Sequence, residues 1–179
     1  AFWVDPGIRS EARRLNLPVR MSVAMMVVES NGNPKATSPK GACGLMQVTP
    51  ITMEELAEYD PKRFGKYVTK VNGRTRVNID ALSDPKTGIE AGMAALKMYM
   101  DRYDGDAEKA LAAYNGGPAR VKFNKPLILA AMPPETQQYV ADIREILKKT
   151  QKLELPRASL LHFLPPADAR KYRRGKGGS

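Results

Sequence analysis

A run of apolar residues over positions 19–28 constrains the fold of this sequence more than any other segment. Valine, methionine and alanine occupy nearly every side of the helix that Pro18 begins, so this helix has little polar surface to turn toward water. Such a helix is stable only when other elements surround it. The pattern therefore predicts a mainly helical protein with this helix buried at its centre, its methionines serving as flexible core filling.

One carboxylate, Glu29, comes at the end of this apolar run, directly before a Gly- and Pro-containing loop over residues 31–34. Neighbouring hydrocarbon and the negative end of the helix dipole both disfavour a charged carboxylate. We therefore expect the pKa of Glu29 to be raised toward the range of a general acid. Its position alone favours a glutamate that merely frays into solvent at a helix end, and the rest of the chain reverses that weighting.

Caps, prolines and apolar spacing predict five further helices and one hairpin around this helix. The predicted helices cover residues 6–15, 52–59, 85 to at least 100, 107–114 and 134 to at least 147. Asp84 and Asp106 are the predicted caps of two of them, and Thr52 to Glu55 has capping-box spacing. Ile89, Met93, Leu96 and Met100 are spaced for one buried face. Strand-forming residues on both sides of Asn72-Gly73 predict a β-hairpin within residues 67–79, since Asn-Gly favours the tight turn of a hairpin. The hairpin is long and basic, and we leave open whether it rims a binding cleft or is simply solvated.

The charge of the chain is concentrated near its end, which suggests a globular domain over residues 1–149 and a tail over residues 150–179. The formal charge is +10, yet residues 148–179 alone carry 9 Lys and Arg against 2 Asp and Glu. This Pro-containing, basic segment is too polar to fold alone, and we expect a flexible, solvated tail rather than a dedicated binding arm. A nucleic-acid partner would rest on this charge alone, since Tyr172 is the single aromatic residue within the basic run, so no specific nucleic-acid partner is expected.

The scarcity of Cys and His excludes several kinds of site. Cys43 and His162 are the only residues of their types, so neither a disulfide within the chain nor a Ser-His-Asp or Cys-His centre is expected. We expect no metal and no cofactor. No apolar run is long enough to span a membrane, and the first residues lack a signal pattern, so any export signal is expected to lie outside this chain.

Three blocks of residues resemble a known family in composition and in order. The blocks are residues 29–50, which begin ESNGNPKATSPKGACGLMQ, residues 112–118 (AAYNGGP) and residues 135–140 (ETQQYV). They resemble the soluble-type lytic transglycosylases of bacteria and phages, over about residues 8–147. The resemblance implies an α+β lysozyme-like domain related to goose lysozyme, mostly helical with a small inserted hairpin.

The resemblance also implies an activity. These enzymes cleave the β-1,4 bond between N-acetylmuramic acid and N-acetylglucosamine in peptidoglycan, and one glutamate, here Glu29, acts first as acid and then as base. The muramic C6 hydroxyl attacks C1, so a 1,6-anhydro end forms and no second carboxylate is needed, unlike the ordinary two-carboxylate scheme. The implied substrate-binding residues are Ser38, Met46, Gln47, Tyr114, Asn115, Glu135 and Tyr139.

These residues have different expected parts. Gln47 is expected to pair with sugar hydroxyl and acetamido groups, and Met46 to form a wall. Ser38 serves the substrate or a turn before Pro39, and Tyr139 serves the cleft or the packing. Thr49 stands where the family often has methionine, which leaves its cleft contact open.

Two other functions remain open at this point. A goose-type lysozyme-like hydrolase of the same bond would need a second carboxylate, for which Asp60, Asp80 and Asp84 are candidates. A non-catalytic peptidoglycan-binding module is the less favoured reading. The expected partners are peptidoglycan glycan strands. The chain is expected to be a monomer in the periplasm or cell envelope, or in a virion if a phage carries it. A further partner in the envelope, a secretion machinery or a virion is left open.

Overall fold

A computed structural model of the chain describes residues 6–151, and α-helices make up most of this range. The helices are α1 (Pro6–Leu15), α2 (Val19–Ser30), α3 (Pro50–Tyr59), α4 (Pro61–Phe64), α5 (Pro85–Arg102), α6 (Ala107–Gly116) and α7 (Pro134–Lys149). Short 3-10 helices cover Gly65–Tyr67, Ile79–Ser83, Pro118–Arg120 and Leu129–Ala131. The predicted mainly helical fold is confirmed. His162 and the predicted tail from residue 152 onward lie outside the described residues, so the boundary between domain and tail stays a prediction.

Helix α5 is the most enclosed element of the described residues. Its residues Ile89, Met93, Leu96 and Met100, predicted to form its buried face, are all buried, and so are most residues between them. Gly92 lets this helix approach the Met46 side chain so closely that a Cβ at position 92 would lie 2.5 Å from the Met46 Sδ. Helix α5 therefore takes the central place that the sequence suggested for α2.

Helix α2 is buried on one side only. Met21, Ala24 and Met25 are fully buried, while Val23 and Val28 are only partly so. The prediction of a fully surrounded helix was thus wrong in this detail. The physical reason is that the second apolar side of α2 reaches an open cleft, which Val28 lines.

The predicted hairpin is present, as β1 (Val68–Val71) paired antiparallel with β2 (Arg74–Val77). Asn72 and Gly73 both have positive φ, 50° and 73°, as the two-residue turn of a hairpin requires. Val68 and Val77 face each other and are partly buried, whereas the rest of the hairpin is exposed. The hairpin packs on α3.

Two helix boundaries differ from the sequence-based ones. Helix α3 begins at Pro50, because the Thr49 side chain accepts a hydrogen bond from the Thr52 N–H at 3.1 Å, so the cap is Thr49 and not Thr52. The helix therefore begins two residues before the predicted start, and Thr52 is not its cap. Helix α6 continues to Gly116, two residues past the predicted end at Tyr114, before Gly117 ends it at φ 87°. No helix among residues 6–151 is long and apolar enough to cross a membrane.

Candidate active site

A cleft of about 540 Å³ opens beside the C-terminal end of α2. Its walls come from four parts of the chain: the end of α2, the loop over residues 31–49, the end of α6 and the first half of α7. The lining residues are Val28, Glu29, Ser38, Pro39, Lys40, Ala42, Gln47, Thr49, Tyr114, Asn115, Glu135, Gln138, Tyr139 and Asp142. Residues from all three sequence blocks thus meet in one cleft.

Glu29 is placed by the way α2 ends. Asn31 adopts the left-handed conformation at φ 50°, and its N–H donates to the Met26 and Val27 carbonyls, which ends the helix at Ser30, one residue after Glu29. The Ser30 hydroxyl binds the Leu45 carbonyl at 2.8 Å and thereby ties the helix end to the opposite side of the following loop. Sequence reasoning gave Ser30 no role, although it directly follows Glu29.

The environment of Glu29 raises its pKa to about 7, from an ordinary value of 4.5. Burial is the largest cause, and the negative charge of Glu135 adds to it, while contact with the Tyr139 hydroxyl acts in the opposite direction. Glu29 is half-buried and still lines the cleft, so a ligand has access to it. The predicted raised pKa is confirmed, and Glu29 is a proton donor available near neutral pH.

The Tyr139 hydroxyl is buried next to Glu29 and has no hydrogen bond of normal geometry with any residue the structure describes. An unpaired buried hydroxyl costs free energy, and it is a group that a ligand or a small shift of Glu29 would satisfy. The ring itself is only 5% exposed. Tyr139 therefore serves both of the functions that the sequence left open, cleft wall and core packing.

The Tyr114 hydroxyl donates its hydrogen to the Met46 carbonyl at 2.8 Å. Its ring packs edge-on against Tyr99, with 6.1 Å between centroids, and burial holds the pKa of the phenol well above its usual range. The phenol is therefore neutral, and toward the cleft its oxygen acts as an acceptor. Met46, in contrast, is fully buried and does not line the cleft. The expected Met46 wall was wrong, because its side chain fills the space beside Gly92.

We expect Tyr114→Phe to destabilise the fold by about 1–2 kcal/mol and to lower the activity about tenfold, because the Met46 carbonyl loses its donor. Chemical unfolding and turnover of purified peptidoglycan measure the two effects. Tyr59→Phe is the matched control, since the Tyr59 hydroxyl binds Asp101 at an exposed site that does not line the cleft. Equal activities of the two variants would contradict the role of Tyr114.

Gln47 has an unusual backbone for a residue other than glycine, with φ 48°. Its side-chain NH₂ donates to the Ala36 carbonyl at 2.9 Å and to the Gly44 carbonyl at 3.0 Å. Both amide hydrogens are thus used by the loop, and the carbonyl oxygen is the group left for a ligand. Ser38 lines the cleft while its hydroxyl accepts from the Ala42 N–H at 3.1 Å, so it is also a turn residue.

Asn115 is held by a residue that sequence reasoning missed. The Thr136 hydroxyl, on a side chain that is 1% exposed, donates to the Asn115 Oδ1 at 2.8 Å. This bond joins the end of α6 to the first turn of α7. The signal that could have identified Thr136 is its place inside the third sequence block, directly after Glu135.

Charged side chains line the mouth of the cleft. Lys40 of the loop binds Glu135 of α7 at 3.2 Å, and both side chains are largely exposed. Asp142, seven residues after Glu135 on α7, adds a third carboxylate that sequence reasoning missed. None of Asp60, Asp80 and Asp84 lines the cleft, because Asp60 caps α4, Asp84 caps α5 and Asp80 lies in a 3-10 helix. The hairpin residues also lie outside its lining, so the structure favours a solvated hairpin over a rim.

Residues 6–151 contain no group of three His, Cys, Asp or Glu side chains that could hold a metal ion. Cys43 is buried, and its thiol lies 3.3 Å from the Ser83 hydroxyl. The described side chains that line the cleft carry carboxyl, phenol, hydroxyl, amide and ammonium groups.

The family of the chain follows from comparison with known proteins. The sequence model described as the transglycosylase SLT domain matches residues 7–127. The chain belongs to this family. The SLT match includes Glu29, Gln47 and Tyr114, and it confirms the resemblance inferred from the sequence blocks; Glu135 and Tyr139 lie beyond its end.

Two curated relatives contain a similar SLT region. The chain is 34% identical over 116 residues to the transglycosylase of Enterobacteria phage PRD1, which is 65% of this chain and 35% of the phage protein. It is 32% identical over 124 residues to the membrane-bound lytic murein transglycosylase C of Yersinia pestis, covering 65% of this chain and 32% of that protein. The chain therefore matches about a third of the length of these relatives.

Solved structures share the fold. An inactive mutant of the lytic transglycosylase Slt from Pseudomonas aeruginosa matches 85% of this chain and 24% of its own, with a TM-score of 0.65 and 26% identity. The 70 kDa soluble lytic transglycosylase of Escherichia coli matches 93% of this chain and 21% of its own, with a TM-score of 0.51. At 21% identity, the second match supports the SLT fold alone.

Proposed function

We propose that this chain is a lytic transglycosylase that cleaves the β-1,4 bond between N-acetylmuramic acid and N-acetylglucosamine in peptidoglycan. The observation that carries the proposal is the half-buried carboxyl of Glu29, with a pKa of about 7, in a cleft that an SLT-family chain forms from three separate sequence blocks. The names of the phage, Yersinia and Pseudomonas relatives, all of them transglycosylases, support the same assignment.

In the proposed reaction Glu29 moves two protons. Its carboxyl first protonates the glycosidic oxygen, and the bond from that oxygen to the muramic C1 breaks. The resulting carboxylate then takes the proton from the muramic C6 hydroxyl as this oxygen bonds to C1, which closes the 1,6-anhydro ring and returns Glu29 to its acid form. The attacking hydroxyl is already tethered to the reacting ring, so proximity favours it over water.

The other cleft residues have supporting functions in this proposal. The Tyr114 oxygen and the Gln47 carbonyl are acceptors for the acetamido N–H and hydroxyl groups of the sugars. Ser38 and Asn115 add polar contacts, and Tyr139 forms a wall next to Glu29. The proposed location is the cell envelope, where peptidoglycan is found, or a virion that attacks peptidoglycan. A monomeric state and an additional protein partner stay predictions.

The products of the reaction test the proposal. Purified sacculi are incubated with the chain, and the released muropeptides are analysed by mass spectrometry. We expect anhydromuramic ends, which are 18 Da lighter than the hydrolysis product because no water is added. Reducing ends would instead identify a hydrolase, for which Glu135 or Asp142 would have to supply the second carboxylate. No release by the wild-type chain would favour a binding module.

The charge of Glu135 gives a testable pH dependence. Glu29 must be protonated to start the reaction, so kcat/KM is expected to fall as the pH rises through about 7. Glu135→Gln removes a negative charge that raises the pKa of Glu29, so this alkaline limb should move to lower pH. Lys40→Met leaves Glu135 without its cation and should move the limb to higher pH.

Glu145→Gln is the matched control for this pair of variants. Glu145 is also on α7 and also paired with a lysine, Lys149, but it does not line the cleft. Its pH profile should coincide with that of the wild type. A Glu135→Gln profile that does not move, or that moves to higher pH, would contradict the electrostatic coupling.

A further inference from the structure

A second groove lies beside the cleft, and the chain between α6 and α7 forms it. Its volume is about 650 Å³. We call it the basic groove, since Arg120, Lys122 and Lys125 line it together with apolar residues that include Leu127, Ile128 and Met132. No carboxylate lines this groove, and the sequence contains no Asp or Glu from residue 116 to residue 134.

The cleft and the basic groove share a wall. Gly116 packs so closely on α7 that a Cβ there would lie 2.9 Å from the Met132 Cε and 2.8 Å from the Thr136 Oγ1. Met132 lines the basic groove, and Thr136 holds Asn115 of the cleft. One layer of side chains therefore separates the two binding spaces.

The two spaces differ in charge. The cleft has three carboxylates against the single cation of Lys40, whereas the basic groove has three cations and no carboxylate. Arg120 donates to the Gly116 carbonyl at 2.7 Å and is part of the wall. Lys122 and Lys125 are exposed, and neither forms an ion pair with another residue of the described range. Both ammonium groups are available to an anionic ligand.

We propose that the basic groove binds the carboxylate-bearing peptide carried by the muramic acid residues, while the cleft holds the sugars. This inference rests on the proposed function. Such a peptide combines carboxylates with small alkyl side chains, which matches ammonium groups set among Leu127, Ile128 and Met132. The apolar surface distinguishes it from a site for a bare polyanion, since Ile128, which lines the groove, is 68% exposed.

One layer of side chains between the two spaces leaves them close enough for one substrate to reach both. Each residue of an extended peptide spans about 3.3–3.6 Å. A peptide of a few residues is therefore long enough to pass over the edge of a wall one side chain thick. The sugar and its peptide would then occupy the two sides of the Asn115–Thr136 bond at the same time. The basic groove would thus distinguish peptide-bearing strands from bare glycan.

Binding measured without cleavage tests this inference. The full chain carrying Glu29→Gln is titrated with soluble peptide-bearing glycan strands and with the same strands after an amidase has removed the peptides. The test variant adds Lys122→Ala and Lys125→Ala. The matched control adds Lys62→Ala and Lys70→Ala, two exposed lysines of α4 and β1 that line neither space.

We expect peptide-bearing strands to bind more tightly than bare strands. In the test variant the ratio of the two affinities should be about fivefold smaller, as the loss of two exposed ion pairs of ordinary strength would give. Its affinity for bare strands should not change, and the control should keep the full preference. The preference should also weaken as salt is raised.

Other outcomes would overturn the inference and are separable. An unchanged preference in the test variant would show that the groove does not recognise the peptide. An equal loss of affinity for bare and peptide-bearing strands would show the same. Lysine-dependent binding of polyphosphate, without any preference for peptide-bearing strands, would identify a general polyanion site. If the chain carrying Glu29→Gln alone binds neither bare nor peptide-bearing strands, the proposed function itself fails, whatever the groove does.

Discussion

Glu29→Gln is expected to lower the rate of peptidoglycan cleavage by about 10³-fold or more, since it removes the group that carries out both proton transfers in the proposed reaction. Glutamine has nearly the same size and still fits the end of α2, so the fold should persist. The comparison is the initial rate of muropeptide release by the wild type and the variant at equal concentrations, with circular dichroism as the check of folding.

Glu58→Gln on α3 is the matched control, because Glu58 is exposed and does not line the cleft. It should retain wild-type activity. If Glu29→Gln keeps more than about a tenth of the activity, Glu29 is not the essential acid. If the chain is a binding module, neither the wild type nor Glu29→Gln should cleave peptidoglycan, and the two should bind glycan with the same affinity.

The same substitution should affect stability in a pH-dependent way. The pKa of Glu29 is about 7 in the folded chain against 4.5 ordinarily, so the folded state binds this proton more tightly than the unfolded state. Wild-type stability from this group is therefore present at low pH and is lost as the pH rises from about 4.5 to about 7. Relative to the wild type, Glu29→Gln should be more stable at pH 8 than at pH 4, a difference that urea unfolding at both values measures.

Gly44→Ala is expected to destabilise the fold by about 2–5 kcal/mol, the largest effect on stability predicted here. Gly44 has φ 83°, which an alanine adopts only with strain, and a Cβ there would overlap the Leu82 carbonyl oxygen. Because that obstacle is backbone, it cannot move aside as a flexible side chain can. The Gly44 carbonyl also accepts from Gln47, so the cleft should be disturbed and the activity should fall.

Gly41→Ala separates the two causes. Gly41 has nearly the same φ, 78°, but the nearest atoms to a Cβ there belong to Pro50 at 3.9 Å, an ordinary contact. Its cost should be the backbone strain alone, about 1–2 kcal/mol. Urea unfolding of both variants gives the comparison, and equal losses would show that the overlap with Leu82 is relieved at no cost.

Local signals in the sequence were sufficient for most of the helices and for the hairpin. Asp84 caps α5 through the Thr87 N–H, and Asp106 caps α6, as predicted from bonds that span only a few residues. The one displaced cap, at Thr49 in place of Thr52, arose because both threonines satisfy the local pattern. Only the position of Pro50 at the first turn distinguishes them.

The sequence by itself determined the family, most of the helices and the raised pKa of Glu29, because those depend on residue type and on neighbours close along the chain. Tertiary structure alone decided that α5 is the central helix, that Met46 points into the core, and that Lys40 meets Glu135 across 95 positions. It also decided which carboxylates reach the cleft, since Asp142 does and Asp84 does not. Those outcomes depend on how distant helices pack, and packing brings side chains together whatever their separation along the chain.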